Sequence, residues 1–396
     1  MFSLKKVYRF FPPSVWGITL ILVLFVIRKT ILNVARGETN VSASIDSNSS
    51  LGILALGLSL MILLFNNKCL SAIYRRCGSF ASYYIFALIS AFWAGGSLGG
   101  VVYKGLEMLL SYLLVCLAIY KIGNFKKAID YLLILCFIVT FFDYYYYYQN
   151  FRTLIMHTNT FTISAMIGFV LCVSAIRIKL YNSKQIWFPL LFFGFVLIAG
   201  TSSASYIATI LGLFVMFSIK GKRINYLKMI FVAILIYCVF DFLYPYITEY
   251  IFVGHTEENI ESGSGRSEIW AACMASWSDS PILGHGFVIG EKTLQDYGSF
   301  AVRSAHNAFL SVLVNTGVIG LVFFLRPIIK LLKLTTKSNK YTLLFLPVSV
   351  AVIINVCSCP IIGSDWYPES LCAFALFAIS FLFLIPKKQT YESSLL

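Results

Sequence analysis

Charge is scarce in this sequence. Asp, Glu, Lys and Arg make up 12% of its 396 residues, against 59% apolar residues. A soluble domain of that size cannot bury so much apolar surface in one core, so a water-soluble globular class is excluded. The motifs of nucleotide and zinc-peptidase chemistry are absent too: there is no Walker loop, no glycine-rich dinucleotide turn and no HExxH. No polar segment on the basic side is long enough for an ATP or nucleotide-sugar domain. An enzyme built on this chain must therefore receive its energy in an activated substrate. Ten cysteines are present, yet none has zinc-ligand spacing. Cys116, Cys136, Cys172, Cys238 and Cys372 stand inside apolar runs, as buried small hydrophobes do. Cys357 and Cys359 are too near in sequence for an ordinary disulfide. No metal site, cofactor or disulfide framework is expected, and no internal repeat is visible.

What the sequence has is a succession of apolar runs, each close to the ~20 residues a helix needs to cross hydrocarbon. Twelve spans are expected, over residues 14–33, 51–66, 80–96, 100–120, 129–148, 160–178, 187–202, 204–219, 225–246, 306–326, 341–358 and 369–386. The opening segment has the basic start and apolar run of a signal peptide. No small-residue cleavage site follows it closely, so it reads as an uncleaved first span. The net charge is +14, but the bases lie in short loops between spans, which removes nucleic acid from the expected partners. Counted by alternation, 23 of the 31 Lys and Arg residues fall on one side. That side is expected to be cytoplasmic, with both termini inside, and it requires an even number of spans.

One loop, 246–305, is long, and it faces the other side. Three of the four histidines, His255, His285 and His306, lie in it or at its end. Within it, "SEIWAACMASW" has Ile269, Trp270, Cys273, Met274 and Trp277 at helical spacing, which predicts an amphipathic helix on the membrane surface. "SPILGHGF" predicts a turn in which Gly284 and Gly286 supply unusual backbone angles. The tract "DYYYYYQN" at 143–150 reads as an interfacial aromatic belt, with a sugar-stacking surface as the alternative. Glu107, Asp143 and Asp241 are expected at the interface near span ends. Asp365 beside Trp366 is a candidate sugar contact.

The candidate constellation is Arg266, Arg303 and His306. Arginine keeps its charge and offers forked donors to phosphate oxygens. A histidine neutral near pH 7 takes a proton from a hydroxyl. Structural roles are open to the same residues. His306 can bond the start of the following helix, Arg266 can pair with Glu261 or Glu268, and Arg303 can anchor the chain at the interface.

The run from Arg266 to Gly320 resembles the signature region of the O-antigen ligase and polymerase superfamily of bacterial membrane glycosyltransferases. It has an Arg, a Trp four residues on (Trp270), the turn "SPILGHG", then His306-Asn307, nine residues, Gly317, two residues and Gly320. The resemblance implies an all-α integral membrane protein of GT-C-like architecture, a single polytopic domain over 1–396. It implies metal-independent transfer at the periplasmic face of the bacterial inner membrane. The donor would be an undecaprenyl-pyrophosphate-linked oligosaccharide, and the acceptor another glycan or the lipid A core. Membrane lipid and a chain-length regulator complete the implied partners. Arg266 would bind the pyrophosphate, His306 would be the general base, and Asn307 would orient His306 or the donor. Trp270, Asn307, Arg303 and Arg152 make up the expected substrate-binding set, with Arg303 an addition to the motif. Ligases commonly carry an arginine after a Ser/Thr pair at the outer end of the corresponding span. Here residues 199–206 read "AGTSSASY", with Ala204 at that place. Arg152 or Arg303 would have to replace that cation. Polymerases are looser there, so polymerisation of repeat units is the expected activity and ligation the alternative. A transporter or flippase of lipid-linked sugars is a third class; it fits less well, because no repeat is present and the polar residues gather at one edge. The hydroxyls of "TSSASY" either line a donor site or let helices approach closely.

Overall fold

The computed structural model describes residues 11–29, 47–96, 98–149, 159–200, 202–220, 223–224, 266–297, 304–337 and 341–385. The described chain is helical apart from one antiparallel two-residue pair, β1 (Ile219–Lys220) and β2 (Arg223–Ile224). The helices are α1 (Pro13–Ile27), α2 (Ser47–Phe65), α3 (Asn67–Ile89), α4 (Leu98–Ile122), α5 (Phe125–Gln149), α6 (Asn159–Arg177), α7 (Ser183–Ala199), α8 (Ser203–Ser218), α9 (Arg266–Asp279), α10 (Ala308–Lys337), α11 (Thr342–Val356) and α12 (Ser370–Phe383). Eleven of the twelve expected windows overlap a helix; the ninth, 225–246, lies outside the described residues. Leu98–Ile122, Asn159–Arg177 and Ala308–Thr336 are each long and apolar enough to cross a membrane. The pair Ser50–Phe65 and Asn67–Phe92 meets that test jointly, bent by 97°. Five further helices are apolar but shorter. These apolar helices mark a multi-pass membrane protein.

Local chemistry sets the ends. Pro13 opens α1 at the position where its missing N–H costs nothing. The Ser202 hydroxyl accepts from Ser205 N at the start of α8. At one end of the bundle, basic side chains cap helix carbonyls: Arg76 donates to Leu382 O at 2.6 Å, and Arg177 to Ile219 O at 3.1 Å. The core is aromatic. Phe80, Tyr84, Tyr112, Phe374 and Phe377 pack ring on ring between α3, α4 and α12. Tyr83 and Tyr84 send their hydroxyls to Gly363 O and Ile362 O, tying α3 to the connection between α11 and α12.

The hydroxyls of "TSSASY" hold helices together. Ser202 donates to Asn159 Oδ1 at 2.5 Å, Ser205 to Thr162 Oγ1 at 2.9 Å, and Asn355 Nδ2 to Ser205 Oγ at 3.2 Å. These bonds join α6, α8 and α11. The tyrosine tract divides: Tyr144 and Tyr147 pack on Phe161, while Tyr145 and Tyr148 are exposed.

α10 is the longest described helix, at thirty residues. The helix breaks at Gly317, whose φ of 63° and ψ of −166° lie outside the helical region. At the break, the turn 281–286 substitutes for the missing ladder. His285 N and Gly286 N donate to Val314 O and Asn315 O at 3.0 and 2.8 Å. Val318 N and Ile319 N donate to Pro281 O and Ile282 O at 3.0 and 3.3 Å. The two backbones approach so closely that a Cβ on Gly317 would stand 2.2 Å from Ile282 O, and one on Gly284 (φ 67°) 2.5 Å from Thr316 N.

Gly284→Ala is expected to lower the detergent-solubilised protein's stability by at least ~2 kcal/mol, from the left-handed backbone and the clash. Gly17→Ala, where a Cβ meets nothing within 4 Å, is expected to leave the melting temperature unchanged or raise it.

Candidate functional site

The residues at issue gather where α10 begins. Asn307 caps the helix: its Oδ1 accepts from Phe309 N at 2.9 Å and Leu310 N at 3.3 Å. The capping role open to His306 thus falls to its neighbour, and the side-chain oxygen of Asn307 is spent on the backbone. His306 itself is held at φ 48°, a left-handed conformation that costs a non-glycine residue roughly 1–2 kcal/mol.

Ala305 holds that conformation in place. It is fully buried, and both of its peptide groups are taken by side chains. Its N–H donates to Glu291 Oε1 at 2.9 Å, and its carbonyl accepts from Trp270 Nε1 at 3.1 Å. Glu291 is itself 5% exposed and fully engaged. Its carboxylate also accepts from Ser311 at 2.8 Å, from Asn315 Nδ2 at 3.5 Å and from the Ser364 hydroxyl. Its N–H donates to Asn315 Oδ1 at 3.1 Å. One carboxylate therefore binds the strand before His306, the first turns of α10 and the α11–α12 connection.

Trp270 brings α9 to the same place. The predicted helix is present, but Ile269 and Cys273 face Leu294, Ala305 and Val314 inside the protein. The buried stripe of α9 thus packs on α10, a correction to its expected seat on the membrane surface. Trp270 and Met274 are exposed. Arg266 stands one turn before Trp270, on the same side of the helix. Burial draws its guanidinium below the ordinary arginine value, with Cys359 acting in the opposite sense. Arginine titrates so high that the group stays cationic. Among the described residues, Arg266 makes no ion pair and no side-chain hydrogen bond. The pairing with Glu268 that its sequence allows is absent, and Glu261 lies outside the described residues. Burial pushes the Cys359 thiol up, so it stays neutral.

The same end of the bundle holds a charge cluster that pattern reading did not find. Arg28 pairs with Glu107. Lys104 bridges Glu107 at 3.3 Å and Asp365 at 2.8 Å, and Lys29 reaches Asp365 at 3.3 Å. Glu107 and Asp143, expected at the interface, are fully buried within the protein; Asp241 lies outside the described residues. Removal from water is tolerable for Glu107 because two cations face it. Burial acts to raise the Asp365 carboxyl, but Lys104 and Lys29 hold it well below the usual carboxylate range. Trp366, the other half of the expected sugar contact, is fully buried and donates to Ser111 Oγ at 3.1 Å. Glu369 is buried, and among the described residues neither of its oxygens is hydrogen-bonded.

Of the expected site residues, Trp270 is bonded to the residue before His306, Asn307 caps α10 next to it, and Arg266 stands one turn before Trp270 on α9. Arg152 and Arg303 lie outside the described residues. Glu291, Ala305 and Cys359 belong to the surroundings of these residues, and no sequence pattern marks them. Glu291 is visible beforehand only as an isolated acid after a glycine turn.

Residues 188–325 match the family profile described as O-antigen ligase. That segment contains Arg266, Trp270, His306, Asn307, Gly317 and Gly320. No curated protein matches the chain.

Glu291→Ala strands several donors and is expected to cost about 3 kcal/mol in thermal unfolding; Glu291→Gln, which keeps an acceptor for Ala305, is expected to cost less. Asp365 has a depressed folded-state pKa. Its stabilisation is therefore complete above the ordinary aspartate range and is lost as pH falls through the folded value. Asp365→Asn is expected to lower the melting temperature at pH 7, and the gap to wild type is expected to close in strong acid.

Proposed function

We propose, taking membership of the O-antigen ligase and polymerase superfamily as the premise, that the chain is an inner-membrane glycosyltransferase. It polymerises lipid-linked oligosaccharide repeat units at the periplasmic face. The match over residues 188–325 supports the superfamily and an O-antigen ligase- or polymerase-like function. The observation that supports the finer reading is the Trp270–Ala305 hydrogen bond, which joins α9, one turn after Arg266, to the residue that precedes His306.

The donor is a growing glycan on undecaprenyl pyrophosphate. A hydroxyl at the non-reducing end of the next repeat unit attacks the anomeric carbon of the donor. The new C–O bond forms as the bond to the pyrophosphate oxygen breaks. His306 takes the hydroxyl proton, and the electron pair leaves on the pyrophosphate. Arg266, a cation with no partner among the described residues, neutralises that charge. Stabilising a developing anion is usually the largest catalytic contribution, about 10²–10³-fold per donor. General-base assistance contributes about 10²–10⁴-fold. Asn307 acts as the helix cap that fixes His306, a narrower role than orienting the donor. Arg152 and Arg303 remain candidates for further phosphate contacts.

Ligation onto a lipid A core would use the same groups with another acceptor. The absence of arginine in "AGTSSASY" favours polymerisation, and the structure adds a reason why that segment differs. Its Ser202 and Ser205 hydroxyls are already bonded to α6 and α11, leaving the segment a structural joint.

The test is purified protein incubated with a defined undecaprenyl-pyrophosphate oligosaccharide. Dimers and longer products are expected. His306→Asn preserves a left-handed backbone and is expected to reduce their rate at least ~10²-fold. Arg266→Ala is expected to reduce it ~10²–10³-fold. Normal ladders from His306→Asn, or product only when lipid A core is supplied, would refute polymerisation through this base.

A further inference from the structure

A cavity of about 480 Å³ lies beside the site, between the end of α3 and the turn that fills the break in α10. Trp93, Ser280, Leu283, His285, Ile289 and Thr293 line it. Its size is within the ~300–1,000 Å³ of small-ligand pockets. We propose that it is a saccharide subsite, which holds a neutral sugar ring of the glycan some distance from the bond that reacts. The proposal rests on the glycosyl-transfer reading above.

The lining chemistry selects a polyol. None of its residues carries a formal charge, so nothing there balances a phosphate. Trp93 supplies an aromatic plate with a fixed attitude. Its Nε1 donates to Leu283 O at 3.2 Å, and its ring packs on Phe86 with centroids 5.8 Å apart. A plate held this way loses little freedom when an apolar sugar face stacks on it.

The polar groups around it are acceptors. Ser280 donates its hydroxyl proton to Gly284 O at 3.0 Å, and Thr293 donates its own to Gly290 O at 2.8 Å. Thr293 also accepts from the Ser276 hydroxyl at 3.1 Å, and each oxygen still keeps a lone pair. His285 Nε2 lies 2.7 Å from Ser276 O. A carbonyl only accepts, so Nε2 carries the proton of the neutral ring and Nδ1 is left as an acceptor. Sugar hydroxyls donate to such groups; a phosphate ionised at neutral pH has no protons to give them.

Position joins the cavity to the chemistry. His285 N is bonded to Val314 O, and helix rise puts Val314 about 10 Å along α10 from Asn307. That distance suits a short oligosaccharide with one ring in the cavity and another at His306. Because the turn is spliced into α10, wall and base belong to one rigid piece.

The test is calorimetry on the full-length protein in lipid nanodiscs. The probe is the lipid-free repeat-unit oligosaccharide, released by mild acid from the surface polysaccharide of the strain that carries this chain. Wild-type protein is expected to bind it, and inorganic pyrophosphate is expected not to compete. Trp93→Ala is expected to weaken binding about tenfold or more, and Trp93→Phe, which keeps a ring, by less. Should Trp93→Ala fail to fold, His285→Phe, which deletes the Nδ1 acceptor, carries the same expectation. Absence of binding to wild type, displacement by pyrophosphate, or undiminished binding to folded variants would overturn the subsite. Trp93-dependent binding in a protein that transfers no glycan would keep the subsite and reject the transfer reading. Transfer with binding indifferent to Trp93 would do the reverse.

Discussion

A helix buried in a protein cannot leave its carbonyls unpaired, and α10 has two that its own backbone does not serve. Gly317 turns the chain out of the helical region, and Val314 O and Asn315 O lose their i+4 donors. The turn 281–286 supplies two donors and takes two in return, so four backbone bonds splice one segment into another. Much else at this end follows from the splice. It brings Glu291 within reach of Ala305, Ser311 and Asn315, and it gives Ile269 and Cys273 of α9 a surface to pack on. The splice allows no side chain at Gly317 or Gly284, which accounts for two glycines of the motif in steric terms.

The electrostatics of this end divide into two kinds of cation. Arg28, Lys29 and Lys104 are matched by Glu107 and Asp365, and their pairing joins α1, α4 and the α11–α12 connection. Such charges are costly to bury singly and stable as a network. Arg266 is different: among the described residues it has no carboxylate partner, and the nearby Cys359 is a neutral thiol.

Much of this was legible in the sequence. Apolar runs near twenty residues gave eleven helices, because length and hydropathy are local properties. The Arg266–Trp270 spacing and His306-Asn307 were readable because motif residues stand at fixed offsets. The rest depends on contacts remote in sequence. Nothing local says that Glu291 would meet Ser364, or that Arg28 would meet Glu107. Asn307 was readable as important but not as a helix cap, because its role depends on where α10 starts. The α9 stripe looked suited to lipid because apolar spacing does not say which apolar surface it will meet.

The sharp elbow between α2 and α3 has a consequence for how the chain is threaded. Gly52, near the start of α2, sits against Arg28 and Tyr103, while Ser90, just past α3, receives the N–H of Phe287. Both ends of the pair therefore open on the side that carries α9. The elbow returns the chain to the end of the bundle it left.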